Sequence, residues 1–174
     1  MSEAAREVNR SRIRVKAMLI APNPEGTAHA VSVSGPSLEN PEGFHRLIGG
    51  SVELGETHRE CIIREVDEEL CARIDDLRFL GVVENIFRYE GELGHEIVFV
   101  WTGLLDPPPA LEGATMTEID GTVLPVVWRR FGGGEEAEGQ VYGAHDHSHR
   151  ERGLEQRLVD EDEERSHARH SDRR

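Results

Sequence analysis

Several residue types are scarce in this chain, and their scarcity excludes whole classes of protein. Aromatic residues make up 5% of the 174 residues, although 37% of the residues are hydrophobic, which suffices for the core of one domain. The two cysteines, Cys61 and Cys71, are ten residues apart, or about 15 Å along a helix, which exceeds the disulfide limit of about 7 Å. We therefore expect free thiols in a reducing, cytoplasmic setting and no disulfide scaffold.

Long hydrophobic runs and positive charge are also lacking. No stretch approaches the length of a membrane-spanning helix, and the polar N-terminus predicts no signal peptide. The net charge is −14, which argues against binding a nucleic-acid polymer through its phosphates. Lys16 is the single lysine beside 19 arginines, a bias that we attribute to coding composition.

Acidic residues, by contrast, crowd into one segment, where Glu65, Glu68 and Glu69 lie within five residues. Thr57 and Glu60 fit a capping box, so we predict a helix that begins after Thr57. Residues three and four apart share a helix face, where like charges destabilise the helix by about 0.2–0.5 kcal/mol per pair. A bound divalent cation would offset that repulsion.

The predicted helix is amphipathic. Ile62, Ile63, Val66 and Leu70 fall on one arc that faces a core, and the three glutamates fall on an adjacent arc that offers oxygens to solvent. Gly49-Gly50 and Gly55 are expected to form a loop before the helix. Oxygen ligands suit Mg²⁺ or Mn²⁺ and predict metal-assisted phosphate chemistry. The simpler alternative is a solvated acidic face.

The whole segment has the spacing G-x5-E-x7-R-E-U-x-E-E-x-G-U, where U is aliphatic. It reads Gly50, Glu56, Arg64, Glu65, Val66, Glu68 and Glu69, followed by Cys71 and Ala72 in the last two positions. In this motif the chain resembles the Nudix hydrolase family. The departures are Cys71 in place of Gly, Ala72 in place of a larger residue, and Ile48 where Pro is common. These departures concern the residue at which the helix ends. A helix that continues to Ala72 or Arg73 is the alternative.

The resemblance implies roles for individual residues. Glu65, Glu68 and Glu69 would bind the metal together with the Gly49 carbonyl, or one glutamate would act as general base, with Glu65 the first choice. Arg64 would orient Glu56 through a charge-assisted hydrogen bond. The catalytic residues implied are therefore Glu65, Glu68, Arg64 and Glu56.

Four further residues are candidates for substrate binding. Arg46 precedes the paired glycines, and an exposed edge position is the alternative for it. Glu84 and Glu96 lie on two strands of a predicted hairpin and either line a cleft or face solvent. Tyr89 stands seventeen residues past the motif, as in Nudix enzymes that act on dinucleoside polyphosphates; a packing role is the alternative.

Strand patterns surround the predicted helix, at Ile13–Leu19, His29–Val33, Phe44–Ile48, a hairpin from Phe79 to Leu105 across Glu90–Gly94, and Val126–Trp128. This order predicts an α/β fold, which the resemblance specifies as an α/β/α sandwich with a mixed β-sheet. We expect a polar arm at 1–10, the Nudix domain at 11–131 and a charged tail at 132–174. The tail has twelve acidic and seven basic residues and is expected to be disordered, with a weak helix near 154–164 as the alternative.

The implied function is Mg²⁺-dependent cleavage of a diphosphate bond in a nucleoside diphosphate-linked substrate, of the nucleoside triphosphate or dinucleoside polyphosphate type. The alternative is a catalytically silent Nudix domain that binds a nucleotide as a sensor or interaction module. The expected partner is a small nucleotide-type substrate, with no nucleic acid polymer and no membrane. A homodimer is left open.

Overall fold

The computed structural model describes residues 12–132 and the short strand 140–141. The arm predicted at 1–10 and the weak helix predicted near 154–164 lie outside the described residues. The described elements, in chain order, are β1 Arg14–Ile20, β2 Ala28–Ser34, β3 Phe44–Ser51, α1 His58–Leu70, β4 Arg73–Tyr89, β5 Glu92–Asp106, β6 Thr115–Thr117, β7 Val123–Arg130 and β8 Gln140–Val141.

The strands form one mixed sheet, in the order β4-β5-β1-β3-β2-β7-β6, with β8 also paired to β3. β1 runs parallel to β5 and β3 runs parallel to β8, whereas the other pairs are antiparallel. This confirms the predicted α/β fold with a mixed sheet. Within the described residues the helical layer consists of α1, so the second helical layer of the predicted sandwich is not among them.

One face of α1 packs on the sheet. Cys61, Ile62 and Val66 are fully buried and join a core with Leu19, Ile48 and other residues of the central strands. Ile63, which was predicted to face the core, is 41% exposed. The buried face is therefore rotated from the predicted arc, and the acidic side of α1 is turned partly inward.

The paired glycines correct another expectation, because they belong to β3 and not to a loop. Met18 of β1 lies opposite Gly49, and Ala17 lies opposite Gly50. The connection to α1 is thus shorter than predicted and contains Gly55, whose φ is +88°. Placing the glycines in the sheet fixes the backbone next to the helix.

The predicted hairpin is present as β4 and β5, but its turn is tighter than expected. Glu90 and Gly91 join the strands with φ of 52° and 74°, a left-handed pair that favours a two-residue turn matching the twist of the strands. β5 ends at Asp106, before the prolines, as predicted. The sequence interpretation missed β6, which has three residues.

A search of the described residues for a helix long and apolar enough to span a membrane finds none.

Candidate active site

A capping box fixes the start of α1, as predicted from the sequence. The Thr57 side chain accepts a hydrogen bond from the Glu60 amide at 3.2 Å, and the Glu60 carboxylate accepts one from the Thr57 amide at 2.9 Å. Thr57 is therefore the N-cap, and two amides that the first turn leaves unpaired are satisfied.

Arg64 ties the acidic residues together. Its Nε and Nη2 donate to the two oxygens of Glu56 at 2.8 and 3.0 Å. Its Nη1 donates to Glu65 and to Glu68, each at 3.0 Å, and Nη2 reaches the Ser51 carbonyl at 3.3 Å. The expected Arg64–Glu56 hydrogen bond is thus present in a bidentate form, which restricts both side chains.

The contacts between Arg64 and these glutamates shift the pKa values of Arg64 and Glu56. The hydrogen bond from Arg64 lowers the pKa of Glu56 from its ordinary 4.5 to about 2. The hydrogen bond to Glu56, with those to Glu68 and Glu65, raises the pKa of Arg64. Both residues therefore stay charged over the physiological pH range.

Gly50 makes room for Glu65. A Cβ atom on Gly50 would lie 2.0 Å from Oε1 of Glu65, closer than any real contact. At Gly49, φ is +131° and a Cβ would lie 2.2 Å from the Ala17 carbonyl oxygen. Glycine is needed at Gly49 because of its positive φ and the backbone contact, whereas a Cβ at Gly50 would displace the Glu65 carboxylate from its present position.

Glu69 is the unexpected member of the triplet. It is only 8% exposed, whereas the sequence placed it on a solvent-facing arc. Among the described residues its Oε2 atom is buried and has no hydrogen-bond partner. Burial, followed by the charges of Glu65 and Glu118, raises its pKa from 4.5 to about 8. A buried carboxylate oxygen without a partner is costly, and a bound cation would satisfy it.

The three carboxylates suit a hard cation in type, since all their donors are oxygens. Their present positions differ: Glu65 is mostly buried, Glu68 is half exposed and both contact Arg64. In residues 12–132 no group of three acidic, histidine or cysteine side chains converges as a finished metal site. The oxygen donors of these residues suit Mg²⁺ or Mn²⁺ in chemical type, and Glu65 and Glu68 would have to leave Arg64 to bind such a cation.

Arg46 and Glu118 complete this side of the cluster. Arg46 Nη1 contacts Glu118 Oε1 at 3.1 Å, and both side chains are partly buried. Arg46 lowers the pKa of Glu69 while Glu118 raises it, so both lie near that carboxylate. Sequence reasoning found Arg46 but missed Glu118, which is 72 residues further along the chain and carries no local motif.

Glu96 and Glu84, predicted together, lie apart. Asn85 pairs with Glu96 in the β4–β5 ladder, so the neighbouring Glu84 points to the opposite side of the sheet. Glu96 is 8% exposed and contacts Arg14 at 2.8 Å, whereas Glu84 contacts His95 at 2.9 Å. The structure places Glu96 near Lys16, which lies close to Glu65.

Tyr89 lies at the end of β4. Its ring meets the Phe44 ring edge-on, with 6.3 Å between the ring centroids. This contact is the packing role named as the alternative for Tyr89. Since the side chain is also 41% exposed, a ligand has access to part of the ring.

Comparisons with known proteins bear on the family and on the fold. A sequence model of the NUDIX domain matches residues 14–130. The crystal structure of a MutT NUDIX hydrolase from Burkholderia pseudomallei is similar, with 21% identity and a TM-score of 0.51 over 69% of this chain and 84% of that chain. The MutT protein from Methanosarcina mazei has 16% identity and a TM-score of 0.55 over 86% of this chain and 95% of that one. At these identities the likeness to the two structures bears on the fold alone.

Proposed function

The chain belongs to the Nudix family, and from that premise we propose that it is a Mg²⁺-dependent hydrolase of nucleoside diphosphate-linked substrates. The bond cleaved is a diphosphate bond, in a nucleoside triphosphate or a dinucleoside polyphosphate. The observation that carries the proposal is the α1 acidic cluster: Arg64 holds Glu56, Glu65 and Glu68 at hydrogen-bond distance, and Glu69 keeps a buried oxygen without a partner in the described chain.

Glu65, Glu68 and Glu69 would hold the cation, with the Gly49 carbonyl as a further oxygen donor. When bound, Mg²⁺ or Mn²⁺ neutralises charge on phosphate oxygens and acidifies a nearby water. Ionising Glu69 in its buried position without a counter-ion is unfavourable, and a bound cation would supply that counter-ion. At neutral pH the cation would have to displace the proton that Glu69 keeps, so binding would release a proton.

Glu65 is our choice for the general base. Its carboxylate lies against Gly50 and receives a hydrogen bond from Arg64 at 3.0 Å, so its position is restricted from two sides. In the reaction it would accept a proton from a water whose oxygen bonds to phosphorus. The bond from that phosphorus to the bridging oxygen breaks, and the departing phosphate leaves with the electron pair.

Arg46 and Tyr89 would meet the rest of the substrate. Arg46 is already paired with Glu118 beside Glu69, a position from which a guanidinium contacts phosphate oxygens. Tyr89 offers a half-exposed ring at the end of β4, suited to stacking on a base. Glu96 lies nearer to the cluster than Glu84, which faces the other side of the ladder.

A silent nucleotide-binding domain is the second candidate, and one observation favours it. Within residues 12–132 the acidic side chains do not converge as a finished metal site, and Glu65 and Glu68 contact Arg64 in place of a cation. If Arg64 keeps these contacts in the presence of metal and nucleotide, the domain binds without turnover.

The test is turnover of a nucleotide panel by the full chain with Mg²⁺ on the order of 10⁻³ M. The panel holds nucleoside triphosphates, dinucleoside polyphosphates, ADP-ribose and NADH, and released phosphate or pyrophosphate is measured. We expect metal-dependent turnover of one class, and a loss of about 10²–10⁴-fold in Glu65→Gln. Asp67→Asn is the matched control, since Asp67 is exposed on the same helix.

Two outcomes would contradict the proposal. Nucleotide binding without turnover on the whole panel would favour the silent domain. Full turnover in both Glu65→Gln and Glu68→Gln would show that the site is elsewhere.

A further inference from the structure

Lys16 is the single lysine of the chain, and the structure places it beside the acidic cluster. In the β1–β3 ladder Lys16 lies opposite Ser51. Ser51 follows Gly50, and the backbone of Gly50 contacts Glu65. Glu96 and Glu65 act on the Lys16 charge, and Lys16 acts on Glu69. The ammonium group therefore lies close to the carboxylates proposed to hold the cation.

The bonding of Lys16 is weak for a partly buried ammonium. Its contact is a long hydrogen bond from Nζ to Ser51 Oγ at 3.4 Å. The two neighbouring arginines have carboxylate partners, since Arg14 pairs with Glu96 at 2.8 Å and Arg46 with Glu118 at 3.1 Å. Lys16 has no ion pair of this kind in the described part of the chain.

Partial burial of the Lys16 ammonium is therefore unfavourable, and the contacts that Lys16 makes within the chain do not offset this cost. Withdrawing an ammonium from water without a carboxylate partner is unfavourable. Burial lowers the pKa of Lys16, as do Arg46 and Arg14, while Glu96 and Glu65 act in the opposite direction. A side chain kept in such a place by structure alone would be better replaced by an apolar residue of the same length.

We propose that Lys16 binds a phosphate group of the substrate, with its ammonium donating to an oxygen of the phosphate that lies between it and the α1 carboxylates. This inference rests on the proposed function. An ammonium is a compact point charge with three donors and serves as a phosphate ligand in proteins. The anion supplies the partner that Lys16 lacks, and a cation on Glu65 and Glu69 would hold the same phosphate from the other side.

The kinetic test compares Lys16→Met, Lys16→Arg and the control Arg12→Met in the full chain. Arg12 is exposed just before β1, so its replacement removes one positive charge away from the cluster. We expect Lys16→Met to raise KM about 10- to 100-fold, the range for losing a charged hydrogen bond, Lys16→Arg to raise it less, and Arg12→Met to leave it unchanged. The melting temperature of Lys16→Met should equal or exceed that of the wild type, whereas a structural role for the lysine predicts a lower one.

A binding test uses the single lysine as a probe and does not depend on turnover. Reductive methylation with ¹³C-formaldehyde labels Lys16 and the α-amine, and the dimethylamine signals are followed by NMR. Inorganic pyrophosphate with Mg²⁺ should shift the Lys16 signal in a saturable way and leave the α-amine signal in place. A nucleoside triphosphate with Mg²⁺ should do the same.

The two proposals fail differently. Wild-type turnover with unchanged KM in Lys16→Met and an unshifted Lys16 signal with both probes would overturn the role of Lys16 and leave the hydrolase function standing. A shifted Lys16 signal in a protein that turns over nothing on the panel would support phosphate binding at Lys16 and overturn the hydrolase function.

Discussion

Replacing Glu69 with glutamine should stabilise the metal-free protein at alkaline pH. Glu69 is 8% exposed, and its Oε2 atom has no hydrogen-bond partner among the described residues. Ionising it in the folded state is opposed by burial and by the nearby Glu65 and Glu118, which together raise its pKa to about 8. Glutamine has nearly the same shape but cannot ionise, so it removes that opposition.

The sign and the size follow from the two pKa values. The unfolded chain loses the Glu69 proton near the ordinary value of 4.5, whereas the folded protein keeps it up to about 8. Between those values the folded state holds more protons than the unfolded state, so the free energy of unfolding falls as pH rises. At about 1.4 kcal/mol per pH unit the loss cannot exceed about 5 kcal/mol, and relaxation of the site should reduce it to about 1–3 kcal/mol.

The assay is urea denaturation of wild type and Glu69→Gln with EDTA, at pH 4.5 and at pH 9. We expect the two proteins to be nearly equal at pH 4.5, where the unfolded state begins to lose the Glu69 proton, and the variant to be more stable at pH 9. Glu68→Gln is the control, because Glu68 is 53% exposed and its replacement should change stability by less than about 0.5 kcal/mol. Equal stabilities of wild type and Glu69→Gln at both pH values would refute the reasoning.

Three further predictions concern the residues around α1. Gly50→Ala places a Cβ 2.0 Å from the Glu65 carboxylate, so we expect at least about tenfold lower turnover. Gly81→Ala is the control, because its Cβ meets no atom within 4 Å and its turnover should be unchanged. A normal rate in Gly50→Ala would contradict this prediction. The pKa of Glu56 is lowered to about 2 by Arg64, so the stability that this pair contributes is present above pH 4.5 and is lost as pH falls toward 2. The free energy of unfolding of Glu56→Gln, measured by denaturation at several pH values, should fall less than that of the wild type as the pH is lowered. An equal pH dependence in the two proteins would contradict a stabilising Arg64–Glu56 pair. Cys71 ends α1 with φ of 51°, so Cys71→Gly should raise the free energy of unfolding by about 0.5–1 kcal/mol. Cys71→Ala keeps a Cβ and should not raise it. Equal free energies of unfolding for the two variants would contradict this prediction.

The helix could be predicted because its signals are local. The capping box lies within four residues, and the apolar spacing repeats along α1, so Thr57 as N-cap and the core contacts of Ile62 and Val66 follow from the sequence. The burial of the Glu69 side chain could not be predicted in this way. The arc of a helical wheel gives a direction, but the surroundings of Glu69 include charges from distant parts of the chain, among them Arg46 and Glu118.

Strand assignments show the same limit. Gly49 and Gly50 look like loop residues in isolation, yet their pairing with Met18 and Ala17 places them in the sheet. The end of α1 is a further case, since Cys71 adopts the left-handed conformation in place of the usual glycine, where the sequence also allowed the helix to continue. Lys16 carries no motif at all and gains its interest from neighbours that the ladder brings to it.

The central claim is that the α1 carboxylates hold a divalent cation, and Mn²⁺ binding followed by electron paramagnetic resonance tests it most directly. Titrating Mn²⁺ into the full chain should reduce the signal of free Mn²⁺ in a saturable way. Glu69→Gln and Glu68→Gln should bind about 10- to 100-fold more weakly, while Asp67→Asn should bind as the wild type does. Binding of equal strength in all four proteins, or no binding by the wild type, would contradict the account.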